Sequence, residues 1–165
     1  MSRTTIAALL LAMLSAPALA QLTKQATPEQ VLSAIEAKGP NAVLQSLWQE
    51  EAVFDSLLSH VDRGEQQWFG VWVKLRPFAD GGQSESIDMA FARAIPHAPA
   101  AILKLIGNGL ELRFVCTSPF IEPDPGVAEQ YEIAAIKALS SVRDNKLQEV
   151  KRQCIRRVEL PKARI

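Results

Sequence analysis

Short helices with clear start and stop residues recur along this chain, and this punctuation restricts the folds that it can adopt. Thr27 is followed by Pro28 and then by Gln30, which is the pattern of a helix N-cap with proline at the first helical position. Gly39 closes that segment and Pro40 opens the next one. We therefore expect successive antiparallel helices of ordinary length, about 10 to 13 residues each.

Apolar residues repeat at helical spacing in the segments that follow. Two stripes consist of Val53, Phe54, Leu57, Leu58 and Val61, and of Ile87, Ala90, Phe91, Ala94 and Ile95. Residues 65–77 contain Trp68 and Trp72 and are apolar nearly all round, which is typical of a buried helix. Ser84 is predicted to cap the helix that carries the second stripe.

Further helices are predicted after Pro99 and over residues 127–142, whose inward positions are predicted to be Tyr131, Ala134, Ala135 and Ala138. Residues 110–116 alternate apolar and polar side chains, so extended chain and a frayed helix both stay open there. The fold class predicted is all-α, with the short helices in a HEAT-like stack or an irregular helical bundle.

The amino-terminal residues 1–20 predict a secretory signal peptide. Arg3 precedes an apolar core over residues 6–14, and a small-residue cleavage site ends at Ala20. The apolar run is roughly half of the 20 residues that span a bilayer. Cleavage would leave residues 21–165 as a single all-helical domain, periplasmic or secreted, with no stable membrane insertion.

Export takes the two cysteines, Cys116 and Cys154, into a compartment where disulfides persist. Leu147, Val150 and Cys154 lie on one stripe of a carboxy-terminal helix, so Cys154 should face the core. We predict one disulfide that pins this helix to the body, while free or intermolecular thiols remain the alternative.

A metal site or a catalytic thiol is less well supported by these residues. Zinc sites usually use several Cys, His or carboxylate ligands in short pairs, whereas His60 and His97 stand alone and no C-x-x-C occurs. A catalytic cysteine would need a nearby base and would leave Cys154 without a role. No nucleotide-binding or hydrolase motif is present, so we expect neither metal nor cofactor.

Three stretches carry a resemblance to a known group. They are the run WFGVWVKLRPFADGGQSE at 68–85, the APAAIL at 98–103, and Val115-Cys116. With them, most of the exported chain resembles a group of secreted helical proteins of proteobacteria. The resemblance implies a helical, exported protein, and it implies no activity and no functional residues.

The loop between the tryptophan-rich segment and the next helix offers the one enzyme-like cluster. Arg76, Asp80, Ser84 and Glu85 lie around two glycines. Asp80 or Glu85 could act as acid or base, with helix-terminal amides binding an anion. The same residue types also stop a helix, make a turn and cap the next helix, and we favour this structural interpretation.

Charge is distributed unevenly along the chain. Residues 137–165 contain 9 Lys or Arg and 3 Asp or Glu, whereas residues 21–136 contain 8 and 15. Lys151, Arg152 and Arg156 are predicted to form an outward basic face on the last helix that could bind an acidic partner. An exported protein rarely meets nucleic acid and no aromatic residue interleaves these charges, so nucleic acid is not an expected partner.

Two classes of function follow from these patterns. The first is a protein-binding module of the cell envelope, such as an adaptor, an inhibitor or an immunity-like protein, with another envelope protein as partner. The alternative is a small envelope hydrolase that uses carboxylates near Asp80 and Glu85. Because the sequence lacks a catalytic set, it favours binding over catalysis.

Overall fold

The computed structural model describes residues 21–159, and this part of the chain folds into nine α-helices. They are α1 Pro28–Lys38, α2 Pro40–Gln49, α3 Glu51–Asp62, α4 Phe69–Leu75, α5 Gly81–Ala94, α6 Pro99–Leu105, α7 Leu112–Val115, α8 Val127–Ser141 and α9 Gln148–Val158. Within 21–159 the only extended pairing is an isolated bridge between Ile106 and Leu110. The all-α prediction is confirmed, and the predicted signal peptide lies outside the described residues.

The first helices begin where the sequence predicts. The Thr27 hydroxyl accepts from the backbone N–H of Gln30 at 3.4 Å, and the Gln30 side chain accepts from the backbone N–H of Thr27 at 2.8 Å. This reciprocal pair satisfies two N–H groups that no helical carbonyl can reach. Pro40 and Pro99 likewise stand at the first positions of α2 and α6.

Helix α5 lies at the centre of the packing, in contact with α3, α6 and α7. Its predicted stripe is buried in full: Ile87, Ala90, Phe91, Ala94 and Ile95. Trp72 of α4 is also fully buried, and its ring meets Phe54 of α3 edge to face at 5.1 Å. Such aromatic contacts add to the free energy gained from burial, and the tryptophan-rich segment is part of the core as predicted.

Ser84 does not cap α5, and that prediction is wrong. Asp80 occupies the N-cap position, and the Gln83 side chain accepts from the backbone N–H of Asp80 at 3.3 Å. The helix therefore starts one turn earlier than predicted. The Ser84 hydroxyl donates instead to the Gly81 carbonyl at 2.9 Å, inside the first turn.

Within residues 110–116, Leu112–Val115 form a one-turn helix, and Leu110 makes the isolated bridge to Ile106. The backbone N–H groups of Val115 and Cys116 donate to the carbonyls of Glu111 and Leu112 at 3.2 and 2.9 Å, so this segment satisfies its backbone locally. Helical spacing buries Val115 and leaves Phe114 38% exposed. The alternating pattern had placed Phe114 on the same side as Cys116.

Helix α8 buries a narrower face than predicted. Tyr131, Ala135 and Leu139 are buried, whereas Ala134 is exposed and Ala138 only half-buried. The buried residues repeat every four positions, because α8 contacts α6 and α9 along one stripe. The inward assignment of Ala134 is therefore wrong.

The predicted disulfide between Cys116 and Cys154 is confirmed. The two Cα atoms lie 5.0 Å apart and both cysteines are fully buried. The bridge closes a loop across a sequence separation of 38, for which chain entropy predicts about 4 kcal/mol of stabilisation. A buried disulfide of this kind is typical of proteins that fold in an oxidising compartment outside the cytoplasm.

Tyr131, the only tyrosine of the chain, reports on unfolding at alkaline pH. Its hydroxyl donates to the Ala92 carbonyl at 2.9 Å, and burial raises its pKa well above the usual value. Because the folded-state pKa exceeds the unfolded value of about 10, this group's contribution to stability is complete below that pH and is lost as pH rises further.

We therefore expect phenolate absorbance to appear only together with the loss of helical circular dichroism in an alkaline titration. Tyr131→Phe is the control, because it removes the absorbance change and leaves the helical signal to report alone. Phenolate formation near the ordinary tyrosine pKa, with the helical signal unchanged, would contradict the buried position of this side chain.

Candidate functional site

A cleft of about 330 Å³ opens between α5 and the segment that runs from α7 to Pro119. Its lining consists of Ser84, Glu85, Asp88 and Met89 on one side, Arg113, Phe114, Thr117, Ser118 and Pro119 on the other, and Arg76 from the turn after α4. The volume lies at the lower end of the range for small-ligand pockets. The cleft is therefore large enough for a small group rather than for a folded domain.

Two other depressions in the surface lack buried charged groups that could bind a ligand. One of about 570 Å³ beside His97 is more open, and its polar lining residues, among them Lys104 and Asp144, are all exposed. Another of about 480 Å³ borders Gln21 at the edge of the described residues. Neither is lined by a buried ionic group, which distinguishes both from the cleft beside α5.

The cleft is built around an ion pair between Arg76 and Asp88. Arg76 donates from Nε to Asp88 Oδ1 at 2.8 Å and from Nη2 to Oδ2 at 2.6 Å. This two-pronged geometry is the strongest form of the arginine–carboxylate contact. Asp88 is buried, and its hydrogen bonds raise the pKa of Arg76, so the guanidinium remains charged inside the protein.

Phe114 forms the opposite wall, and two arginines lie close to its ring. The guanidinium carbon of Arg113 lies 4.4 Å from the centre of the Phe114 ring, and that of Arg76 lies 5.9 Å from it. Both distances are within the range of cation–π attraction. Arg113 also donates to Glu111 at 2.9 Å.

The structure brings together three of the four residues of the enzyme-like cluster. Arg76, Ser84 and Glu85 line the cleft, whereas Asp80 does not line it and occupies the N-cap position of α5. Both oxygens of the buried Asp88 accept from Arg76. Glu85 is consequently the only carboxylate of the lining that is free of a hydrogen bond within residues 21–159.

The three residues of the predicted basic face of α9 lie in different environments. Lys151 is half-buried and donates to the Val142 carbonyl at 3.1 Å. Arg152 pairs with Glu149, and Arg156 is exposed. Hydrogen bonds from Gln153 and Arg152 lower the pKa of Glu149. Two of the three predicted residues are therefore engaged within the chain.

Sequence patterns missed the residues that give the cleft its character. Arg113 and Phe114 lay in the stretch whose helix was ambiguous, and Asp88 was not among the residues predicted for the enzyme-like cluster. Arg157 was not singled out, although its Nη2 donates to the Arg113 carbonyl at 3.3 Å. Helical spacing in 112–115 is the signal that could have identified Phe114, because it turns this residue away from the buried Cys116. The contacts of Asp88 and Arg157 are tertiary and have no such local signal.

Comparison of this chain with protein families, with curated proteins and with solved structures finds no match. Within residues 21–159, no group of three His, Cys, Asp or Glu side chains is placed to hold a metal ion. None of the helices in the same range combines the length and apolar character needed to cross a bilayer. The geometry of the cleft is therefore the main basis for assigning a function.

Removing the carboxylate of the ion pair should destabilise the fold. Asp88→Asn leaves the guanidinium of Arg76, which is only 19% exposed, without a charged partner. We expect a loss of about 3 kcal/mol in the free energy of unfolding, at the lower end for buried pairs because Arg76 keeps some contact with solvent. Urea denaturation measures this loss.

Glu85→Gln, on the same helix but exposed, is the matched control for that measurement. It should change the free energy of unfolding by no more than about 0.5 kcal/mol. Equal stabilities of the two variants would show that the ion pair does not support the cleft.

Proposed function

We propose that this chain is an exported protein-binding module of the cell envelope, periplasmic or secreted after cleavage of residues 1–20. Another envelope protein is its partner, as for an adaptor, an inhibitor or an immunity-like protein. The surface that we assign to this contact is the cleft beside α5 with its rim of Arg113 and Phe114.

The observation that carries this proposal is that the cleft contains only one carboxylate, Glu85, that is free of a hydrogen bond within residues 21–159. A hydrolase that works through two acids needs one acid and one base free to exchange protons with a substrate. Here Asp88 is occupied by Arg76 and Asp80 stands at the N-cap of α5 outside the cleft. Glu85 is left alone, so the carboxylates support recognition better than catalysis. The hydrolase alternative stays a prediction that rests on Glu85.

The residue types on the rim also support protein binding. Aromatic residues and arginine are enriched at the centres of protein interfaces, where few residues carry most of the binding free energy. Phe114 is exposed although it is large and apolar, and Arg113 stacks on its ring. An aromatic side chain next to two guanidinium groups is suited to a partner that carries both apolar and acidic groups.

The rim is held in place before any partner arrives. Phe114 lies two residues before Cys116, whose disulfide attaches α7 to α9, and Arg157 adds a hydrogen bond to the Arg113 carbonyl. α7 also packs against the central helix α5. Because fewer groups have to be ordered on binding, a preformed rim loses less entropy.

Site-specific photocrosslinking in the producing cell tests this proposal. A benzophenone-bearing phenylalanine analogue at position 114 keeps an aromatic ring in place, and it should give one discrete adduct with a protein of the envelope. The same analogue at Ile133 of α8, which is 68% exposed but does not line the cleft, should give none.

Charge reversal identifies the contribution of the rim. Arg113→Glu, combined with the analogue at position 114, should lower the adduct yield severalfold, and the wild-type yield should fall as salt screens the exposed charges. Arg143→Glu is the matched control, because Arg143 is exposed and outside the cleft. Reversal of Arg152 and Arg156 measures whether the basic face of α9 adds to the contact.

Equal adducts from positions 114 and 133, or no adduct from position 114, would contradict the proposal. An Arg113→Glu protein that is crosslinked as well as wild type would also contradict the assigned surface. Loss of an envelope hydrolytic activity in Glu85→Gln, with the adduct unchanged, would favour the hydrolase alternative.

A further inference from the structure

Arg76 has more hydrogen-bond donors than the protein uses. A guanidinium carries five N–H groups, and two of them donate to Asp88. The other three have no acceptor among residues 21–159, although the side chain is only 19% exposed. No Arg76 nitrogen is both buried and without a hydrogen bond, so the free N–H groups reach the open side of the cleft, where the acceptors of a ligand can meet them.

The remaining polar groups of the cleft include further donors. The hydroxyls of Thr117 and Ser118 line the cleft and make no hydrogen bond within residues 21–159. Arg113 uses one N–H on Glu111. The one carboxylate of the lining without a hydrogen bond within residues 21–159 is Glu85, because Asp88 is occupied by Arg76. The complementary ligand is therefore rich in acceptors.

A carboxylate fits these donors best. Its two oxygens match two parallel N–H groups of a guanidinium, and hydrogen bonds between charged groups are about twice as strong as neutral ones. The hydrogen bonds to Asp88 raise the pKa of Arg76, which keeps the donor charged. The exposed Arg113 adds a second positive charge at the rim.

The apolar part of the lining selects among carboxylates. Met89, Phe114 and Pro119 share the cleft with the two arginines, and its volume of about 330 Å³ admits only a small group. An apolar residue at the end of a polypeptide has its carboxylate and its side chain on the same carbon atom. An aspartate or glutamate side chain, by contrast, offers no apolar group beside the carboxylate.

We propose that the cleft binds the C-terminal residue of the partner polypeptide, with the terminal carboxylate on Arg76 and an apolar last side chain against Met89, Phe114 and Pro119. Glu85 accepts from a backbone N–H of the bound segment. This inference rests on the proposed protein-binding function, and it names the part of the partner that is recognised.

Calorimetric titration of the oxidised, full exported chain with short peptides tests the inference. The probe is the tetrapeptide Ala-Ala-Ala-Leu with a free carboxyl terminus. The same peptide ending in a carboxamide should bind about tenfold to a hundredfold more weakly, because a hydrogen bond to a charged group is replaced by a neutral one. Ala-Ala-Ala-Asp as a carboxamide should be weakened to the same degree.

Two variants test the position of the site. Both keep a positively charged residue at position 76 to pair with Asp88. Arg76→Lys keeps a cation there but loses the fork of N–H groups, and it should abolish the preference for the free carboxyl terminus. Met89→Trp fills the cleft and should abolish binding of the free-acid peptide. Arg143→Gln, outside the cleft, is the control and should bind like wild type.

Equal binding of the acid and carboxamide peptides would overturn the inference, and so would a carboxamide ending in aspartate that binds as well as the free acid. Free leucine that binds as tightly as the tetrapeptide would overturn it too, and would assign the cleft to a single amino acid. An adduct from position 114 without binding of any peptide would reject the C-terminal ligand and leave the protein-binding function in place. Peptide binding without an adduct from position 114 would support the recognition of a terminal carboxylate and would contradict the envelope partner.

Discussion

The disulfide between Cys116 and Cys154 supports the part of this fold that is weakest on its own. Helix α7 has a single turn, Leu112–Val115, and a helix of that length is not stable by itself in water. The bridge attaches its end to α9, and Arg157 adds a contact to the same segment. Because α7 carries Arg113 and Phe114, the position of the rim depends on this covalent link.

The opposite wall depends on charge rather than on a covalent bond. Transfer of Arg76 and Asp88 out of water costs free energy, and only good geometry recovers it. The fork of hydrogen bonds to Asp88 provides that geometry and fixes the guanidinium against α5. The same arrangement leaves three N–H groups directed away from the pair. The ion pair that holds Arg76 in place therefore also orients the N–H groups that can bind a ligand.

Local sequence patterns predicted most of the fold and little of the site. Thr27, Pro40 and Pro99 determine helix starts through backbone chemistry that acts within a few residues, and the stripe that contains Cys154 identified the bridge. Arg76 and Asp88 belong to different helical segments, and Arg113 meets Arg157 across 44 residues. Such contacts depend on tertiary packing, which a periodic pattern cannot supply. The helix at 112–115 was ambiguous for the same reason, because tertiary contacts and the bridge stabilise it.

Backbone hydrogen exchange of the oxidised and the reduced protein tests most directly whether the bridge holds the rim. The relevant amides are those of Val115 and Cys116, which donate to Glu111 and Leu112. We predict that reduction accelerates exchange at these amides far more than at those of α3 and the buried part of α5. Unchanged protection of α7 after reduction would contradict the account, because the rim would then be held without its covalent link.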